Sequence, residues 1–258
     1  MIKKIGFRDL IIGSSGIFLF IILWETVSKF IIKNSFIMPS FSDVITSFLA
    51  ISKYLPSDLS GSFLHFFTGL FIAILMGGLL GAIMGWFRTV DRFFRPVIEL
   101  LRPIPPLAWI PFAIIWFRLT DLSASFIIFI GCFFPIFINT YLGFRNTPKI
   151  FTEAAMVLGH RSNIKLLYEI ALPSSLLSVF YGIRIAIGIG WMCMIAAEIF
   201  GRTYGLGYRL WYFYQMHQMD FVVAYMFILG LIGILLEYSF RYLIEKKFVK
   251  WKQGLVIK

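Results

Sequence analysis

Six long apolar stretches limit this chain to a narrow set of structures. They cover roughly residues 10–31, 64–87, 97–118, 122–144, 175–199 and 221–244. Each is long enough to carry a helix through about 30 Å of hydrocarbon. Inside a bilayer a helix satisfies its own backbone groups, so an all-α integral membrane protein with about six transmembrane helices is expected. Composition agrees: 59% of the residues are apolar and only 14% are charged, whereas about a quarter are charged in soluble domains.

The formal net charge of +11 would point to nucleic acid in a soluble protein. Here the basic residues gather at the ends of the apolar stretches, where they set orientation instead. With the N-terminus inside, the cytoplasmic segments hold Lys3, Lys4 and Arg8; Arg88, Arg92 and Arg95; Arg145, Lys149, Arg161 and Lys165; and Arg241, Lys246, Lys247, Lys250, Lys252 and Lys258. The outer segments hold only Lys29, Lys33, Lys53, Arg118, Arg202 and Arg209. Both termini are therefore expected in the cytoplasm. The first stretch is too long for a signal-peptide core and has no small-residue cleavage site, so it reads as a retained span. Cys132 and Cys193 both fall in apolar stretches without metal-ligand spacing, and plain packing is expected of them.

No polar linker divides the chain. Residues 1–63 read as a first transmembrane helix plus an extracytoplasmic segment, in which Phe41 to Tyr54 form a short interfacial helix with Ser42 as its N-cap. Residues 64–245 form the core, with a cytoplasmic loop over 145–174, and residues 246–258 form a basic tail. In the second span Gly69, Ala73, Gly77, Gly81 and Gly85 recur every four residues and so make one stripe of a helix. Gly182, Ala186 and Gly190 do the same in the fifth. Such stripes let backbones approach closely, as packing faces that could also slide or line a pore. Residues 96–111 hold Pro103, Pro105, Pro106 and Pro111, which cannot all sit in a regular helix. They imply either a broken helix beside a translocation path or a kink satisfied by neighbouring helices.

The cytoplasmic loop runs Phe151-Thr152-Glu153-Ala154-Ala155-Met156-Val157-Leu158-Gly159 and continues to Ile170-Ala171-Leu172-Pro173. This resembles the EAA loop of ABC-importer permeases: Glu-Ala-Ala, a Gly six residues after the Glu, then Ile-x-Leu-Pro. The stretch before Ile170 is one residue longer than the usual pattern. Leu101-Arg102-Pro103-Ile104-Pro105-Pro106-Leu107-Ala108-Trp109-Ile110-Pro111 is similar to the third-span segment of the nitrate/sulfonate/taurine/bicarbonate branch. Phe134 to Thr140, Gly182 to Ala186, Ala196 to Gly201, Gly205 to Tyr208 and Met38-Pro39-Ser40 fit the same branch.

The resemblance implies a type I ABC-importer fold in a bacterial inner membrane. It implies Glu153, Ala154, Ala155, Leu158, Gly159 and Pro173 as a coupling element that docks on a cytoplasmic ATPase dimer. It further implies a second permease copy, in a homodimer, and an extracytoplasmic solute-binding protein. In physical terms Glu153 suits the N-terminal turn of a short helix, Gly159 suits its end, and Pro173 stops the loop and opens span five.

No Gly-x-x-x-x-Gly-Lys-Ser/Thr phosphate loop occurs, so no cofactor is expected on this chain, and ATP and magnesium belong to the partner. No catalytic residues and no metal site are expected, since His65, His160 and His217 are far apart in topology. The translocation path is expected at Arg102, Pro103, Pro105, Pro106 and Arg184. Intramembrane charge is usually paired or faces water. Arg184 either attracts an anion or, as preferred, bridges to a Glu or to freed carbonyls. Arg102 is expected to pair with Glu99 on one helix face, and Glu198 to contact the 202–209 loop or the binding protein. An ion-coupled secondary transporter is the competing class, and it would show more spans or more intramembrane acids.

Overall fold

The computed structural model describes residues 7–159 and 162–247, so Lys3, Lys4, His160, Arg161 and 248–258 lie outside the described residues. Among the described residues the elements are helical. Helix α1 (Phe7–Thr26) continues in wide π turns to Ile32 and stops at Lys33, whose φ of 52° leaves the helical path. α2 (Phe41–Ile51) is short. α3 (Leu55–Trp86) begins at Pro56 and crosses without a break. α4 (Arg88–Leu101) and α5 (Ile110–Phe117) follow, then α6 (Asp121–Arg145), α7 (Lys149–Val157), a one-turn α8 (Asn163–Leu166), α9 (Leu172–Gly201), α10 (Leu206–Gln215) and α11 (Met219–Lys247). Five helices are long and apolar enough to cross a membrane, and the bent pair formed by α4 and α5 makes a sixth crossing possible.

The glycine stripe explains how the centre is assembled. A β-carbon on Gly69 would lie 2.5 Å from the carbonyl oxygen of Ser125, and one on Gly77 would lie 3.0 Å from that of Phe133. One on Gly85 would lie 2.7 Å from the oxygen of Tyr141. The register rises along both helices, so α3 and α6 run parallel with their backbones nearly touching. Gly182 faces Pro135 and Asn139, while Gly190 faces Cys132 and Ile128, so α9 runs antiparallel to α6. Phe66, Ile128, Cys132, Ile136, Ala186 and Met194 fill the centre of these three helices. α11 closes one side, where Trp191 donates its indole N–H to the Leu229 carbonyl at 3.0 Å. α1 is held mainly near its outer turns, by Trp24 Nε1 to Pro39 O at 2.9 Å and Ser28 Oγ to Met38 O at 2.7 Å.

Three local expectations need correction, and one alternative is decided. The cap of α2 is Ser40, not Ser42: Ser40 and Asp43 form a reciprocal capping box, and Ser42 turns back to give its hydroxyl and amide to Glu25. Of the two readings of the third span, the broken helix is the one present. Its axis bends by 89° between Leu101 and Pro106, because the prolines remove successive donors. α7 starts at Lys149, since Pro148 presets the preceding turn, and Glu153 sits mid-helix rather than in the first turn. Pro173 lies in the first turn of α9, as expected, but it does not stop the loop: the helical path runs from Asn163 to Gly201, and the π turns over Leu167–Ala171 make room where Pro173 has no N–H to donate.

Candidate functional site

The loop between α6 and α9 folds into a lever. α7 ends in a left-handed glycine cap: Gly159 has φ of 96°, its amide reaches Met156 O at 3.0 Å, and the Leu158 amide reaches Ala154 O at 3.1 Å. Ala155 is buried beneath the helix. A cleft of about 550 Å³ separates α7 from the start of α9, lined by Phe151, Ala154, Ala155, Leu158, Ile170 and Pro173 among others. The outer face of the lever is uncovered. Val157 is 88% exposed and Leu158 81% exposed, with Ile150 and Met156 also open. Of the expected coupling residues, Ala154, Ala155, Leu158 and Pro173 therefore meet at one cleft, Gly159 terminates the helix beside it, and Glu153 faces outward.

The broken third span forms a second feature. Arg88, Asp91, Arg92, Arg95, Glu99 and Arg102 fall at spacings of three or four and give α4 one charged face. Arg95 donates to Asp91 at 2.6 Å and to the Tyr141 hydroxyl at 2.9 Å. A cavity of about 450 Å³ opens here, lined by Asp91, Arg95, Glu99, Arg102 and Tyr141 with apolar residues of α3 and α6. Among the described residues Arg102 makes no ion pair with Glu99, contrary to expectation: they line the same cavity, and Arg95 takes the near carboxylate Asp91 instead. Pro103 lies in the bend itself, Pro105 precedes the short turn over Pro106–Trp109, and Pro106 opens it. Arg184 is elsewhere. It donates to Glu237 of α11 at 2.7 Å, the bridge to a Glu that its position in the membrane demands.

The sequence reading left out a third feature, at the end of the bundle opposite the lever. Asp58 is fully buried on α3 and accepts a two-pronged Arg209 guanidinium at 3.1 and 3.2 Å and the Tyr225 hydroxyl at 2.8 Å. Burial alone would lower the Arg209 pKa, but the Asp58 hydrogen bonds outweigh it and raise it. About two turns along α3, His65 and Glu198 are both fully buried and joined, Nδ1 to Oε1, at 2.9 Å. Glu198 Oε2 accepts the Gly207 amide at 2.8 Å, so the expected contact with the 202–209 loop is present. The available signal was the acidic residue inside or at the edge of an apolar stretch, since Asp58, Asp121 and Glu198 each require a partner there. The partners themselves carry no local signature.

Apolar crossings packed through glycine contacts around a bent, proline-rich one define a multi-pass membrane protein. The chain belongs to the family described as the binding-protein-dependent transport system inner membrane component, which matches residues 69–249. It is similar to an ABC transporter permease protein of Methanocaldococcus jannaschii, with 38% identity over 97% of this chain and 95% of that protein. It is 30% identical to the taurine transport system permease protein TauC of Escherichia coli K12, over 89% of this chain and 85% of that one. It is 35% identical to the bicarbonate transport system permease protein CmpB of Synechococcus elongatus, over 74% of this chain and 65% of that one. The chain is thus an ABC-importer permease, a multi-pass inner-membrane protein and a transport subunit. Importers of this family work with an ATPase and a solute-binding protein.

Proposed function

We propose that this chain forms the translocation path for a small anion and that α7 is the lever through which a separate ATPase drives it. The supporting observation is the uncovered apolar face of α7. On a loop that reads as cytoplasmic from its basic residues, the rest of the chain leaves Val157 and Leu158 uncovered. A contiguous apolar surface facing water is the mark of a protein partner. Glu153, Ala154, Ala155, Leu158 and Gly159 dock on that partner, and Pro173 carries the displacement into α9. ATP and magnesium are held by the ATPase dimer. Two copies of the permease face each other, and the solute-binding protein delivers cargo at the outer end near α10. ATP binding draws the two levers together and opens the outward side, and hydrolysis resets the pair.

Anion specificity rests on two supports. The relatives named above are permeases for taurine and bicarbonate. The cavity beside the broken span is also lined by Arg102, which, unlike Arg95, makes no ion pair among the described residues. Arg102, Pro103, Pro105 and Pro106 line the path in this reading, while Arg184 braces α9 against α11. Co-expression with the cognate ATPase tests the proposal. Val157→Asp and Leu158→Asp are expected to abolish co-purification and ATP-dependent uptake while the chain still inserts. Retention of the ATPase by both variants would overturn the docking assignment.

A further inference from the structure

His65 lies between two carboxylates. Its Nδ1 is 2.9 Å from Glu198 Oε1 and its Nε2 is 2.8 Å from Asp121 Oδ1. The remaining contacts of those carboxylates are all donors. Glu198 Oε2 receives the Gly207 amide at 2.8 Å and the Ser62 hydroxyl at 3.0 Å. Ser62 Oγ already accepts the Leu206 amide at 2.8 Å, so its own proton goes to Glu198. Asp121 Oδ1 receives the Tyr204 hydroxyl and the Arg202 guanidinium. A ring between two ionised carboxylates donates from both nitrogens, and only the imidazolium does so. A neutral ring would either aim a lone pair at a carboxylate oxygen or need Glu198 Oε1 to carry the proton.

The charges close locally. His65 and Arg202 balance Glu198 and Asp121, and the neighbouring Asp58 is already balanced by Arg209. Burial first, and then the Asp121 carboxylate, push the Tyr204 phenol above its ordinary range, so it remains a donor. These groups come from every element around the ring: α3, α6, α9, the 202–205 turn and α10. Together they fasten that turn, which joins the end of α9 to α10, onto α3 and α6. The Asp121 side chain is 46% exposed at the end of the bundle, which gives the buried ring an exchange route for its proton.

We propose that His65, donating from both ring nitrogens to Glu198 and Asp121, is a positioning residue for transport: its imidazolium clamps the 202–207 turn to the helix core. The clamp is complete while the ring holds both protons and loses a charge-assisted hydrogen bond when one leaves. This inference rests on the permease reading of the chain and on its outer end facing the periplasm or medium.

Two measurements test it. The full chain with isotope-labelled histidine in lipid gives imidazole nitrogen signals by solid-state NMR, with His65 assigned by its loss in His65→Gln. Both His65 nitrogens are expected to be protonated, and a neutral tautomer would overturn the proposal. The assembled importer in nanodiscs, with its ATPase and binding protein, is then followed by ATP hydrolysis. His65→Arg or His65→Lys, fixed cations, are expected to keep activity. His65→Gln is expected to lose about tenfold, the scale of one charge-assisted hydrogen bond. Wild-type activity in His65→Gln, or an equal loss in the cationic variants, would overturn the positioning role. Failure of the permease reading looks different: the wild-type chain would then bind no ATPase, while the NMR signal would be unaffected.

Discussion

Gly81 on α3 stands so close to Phe137 on α6 that a β-carbon on it would lie 2.7 Å from the Phe137 carbonyl oxygen and 2.9 Å from the Thr140 side chain. A backbone atom cannot rotate away as a side-chain tip can. Gly78, on the same helix, has nothing within 4 Å of the equivalent position. Gly81→Val is therefore expected to destabilise the purified chain by about 2 kcal/mol or more. Gly78→Ala is expected to be neutral or stabilising by up to about 1 kcal/mol, from helix propensity alone. Thermal melts of both variants in detergent check the contrast, and equal melting shifts would contradict the parallel glycine contact.

The Arg184–Glu237 bridge spans α9 and α11 at 2.7 Å. If Arg184 braces the helices, Arg184→Glu lowers uptake and Glu237→Arg, added to it, restores most of it. If Arg184 instead attracts the solute, the exchanged pair stays inactive. Uptake by the two single variants and the double variant separates these outcomes.

Asp58 is fully buried against Arg209 and Tyr225. Removing its cation leaves a buried carboxylate alone, which costs about 3–5 kcal/mol. Arg209→Ala is expected to unfold or to melt far below the wild type, and Asp58→Asn with Arg209→Gln to recover part of the loss. Chemical denaturation or thermal melting reads both.

Gly159 holds φ of 96°, a region that side chains with a β-carbon rarely adopt, and nothing lies within 4 Å of where one would be. The constraint is thus in the backbone and not in space. Gly159→Val is expected to abolish uptake while leaving membrane insertion intact, and Gly159→Asn, which tolerates the left-handed region, to retain part of it. Uptake assays with matched expression levels decide.

The sequence made different parts of this protein legible to different degrees. The stripe from Gly69 to Gly85 was readable because close packing needs small residues at helical spacing, and that need leaves a local mark. Pro103, Pro105 and Pro106 announced a break but not its 89° angle, which depends on how α5 packs on α6. Ser40 displaced Ser42 as the α2 cap because Asp43 completes a box only with the earlier residue. Asp58 and Arg209 were hidden for another reason: they are 151 residues apart, and nothing local to either names the other. His65 likewise carries no local sign of the two carboxylates, from different helices, that hold it.

The central claim is that a cytoplasmic lever joins this permease to a separate ATPase. Val157→Cys, 88% exposed at the tip of α7, supplies the direct test, because the native Cys132 and Cys193 are both buried. In the assembled importer a short bifunctional reagent is expected to link position 157 to the ATPase subunit, with a yield that changes when ATP is added. Labelling of Val157→Cys by an impermeant thiol reagent from the outer face of intact cells, or no link to any ATPase subunit, would contradict the account.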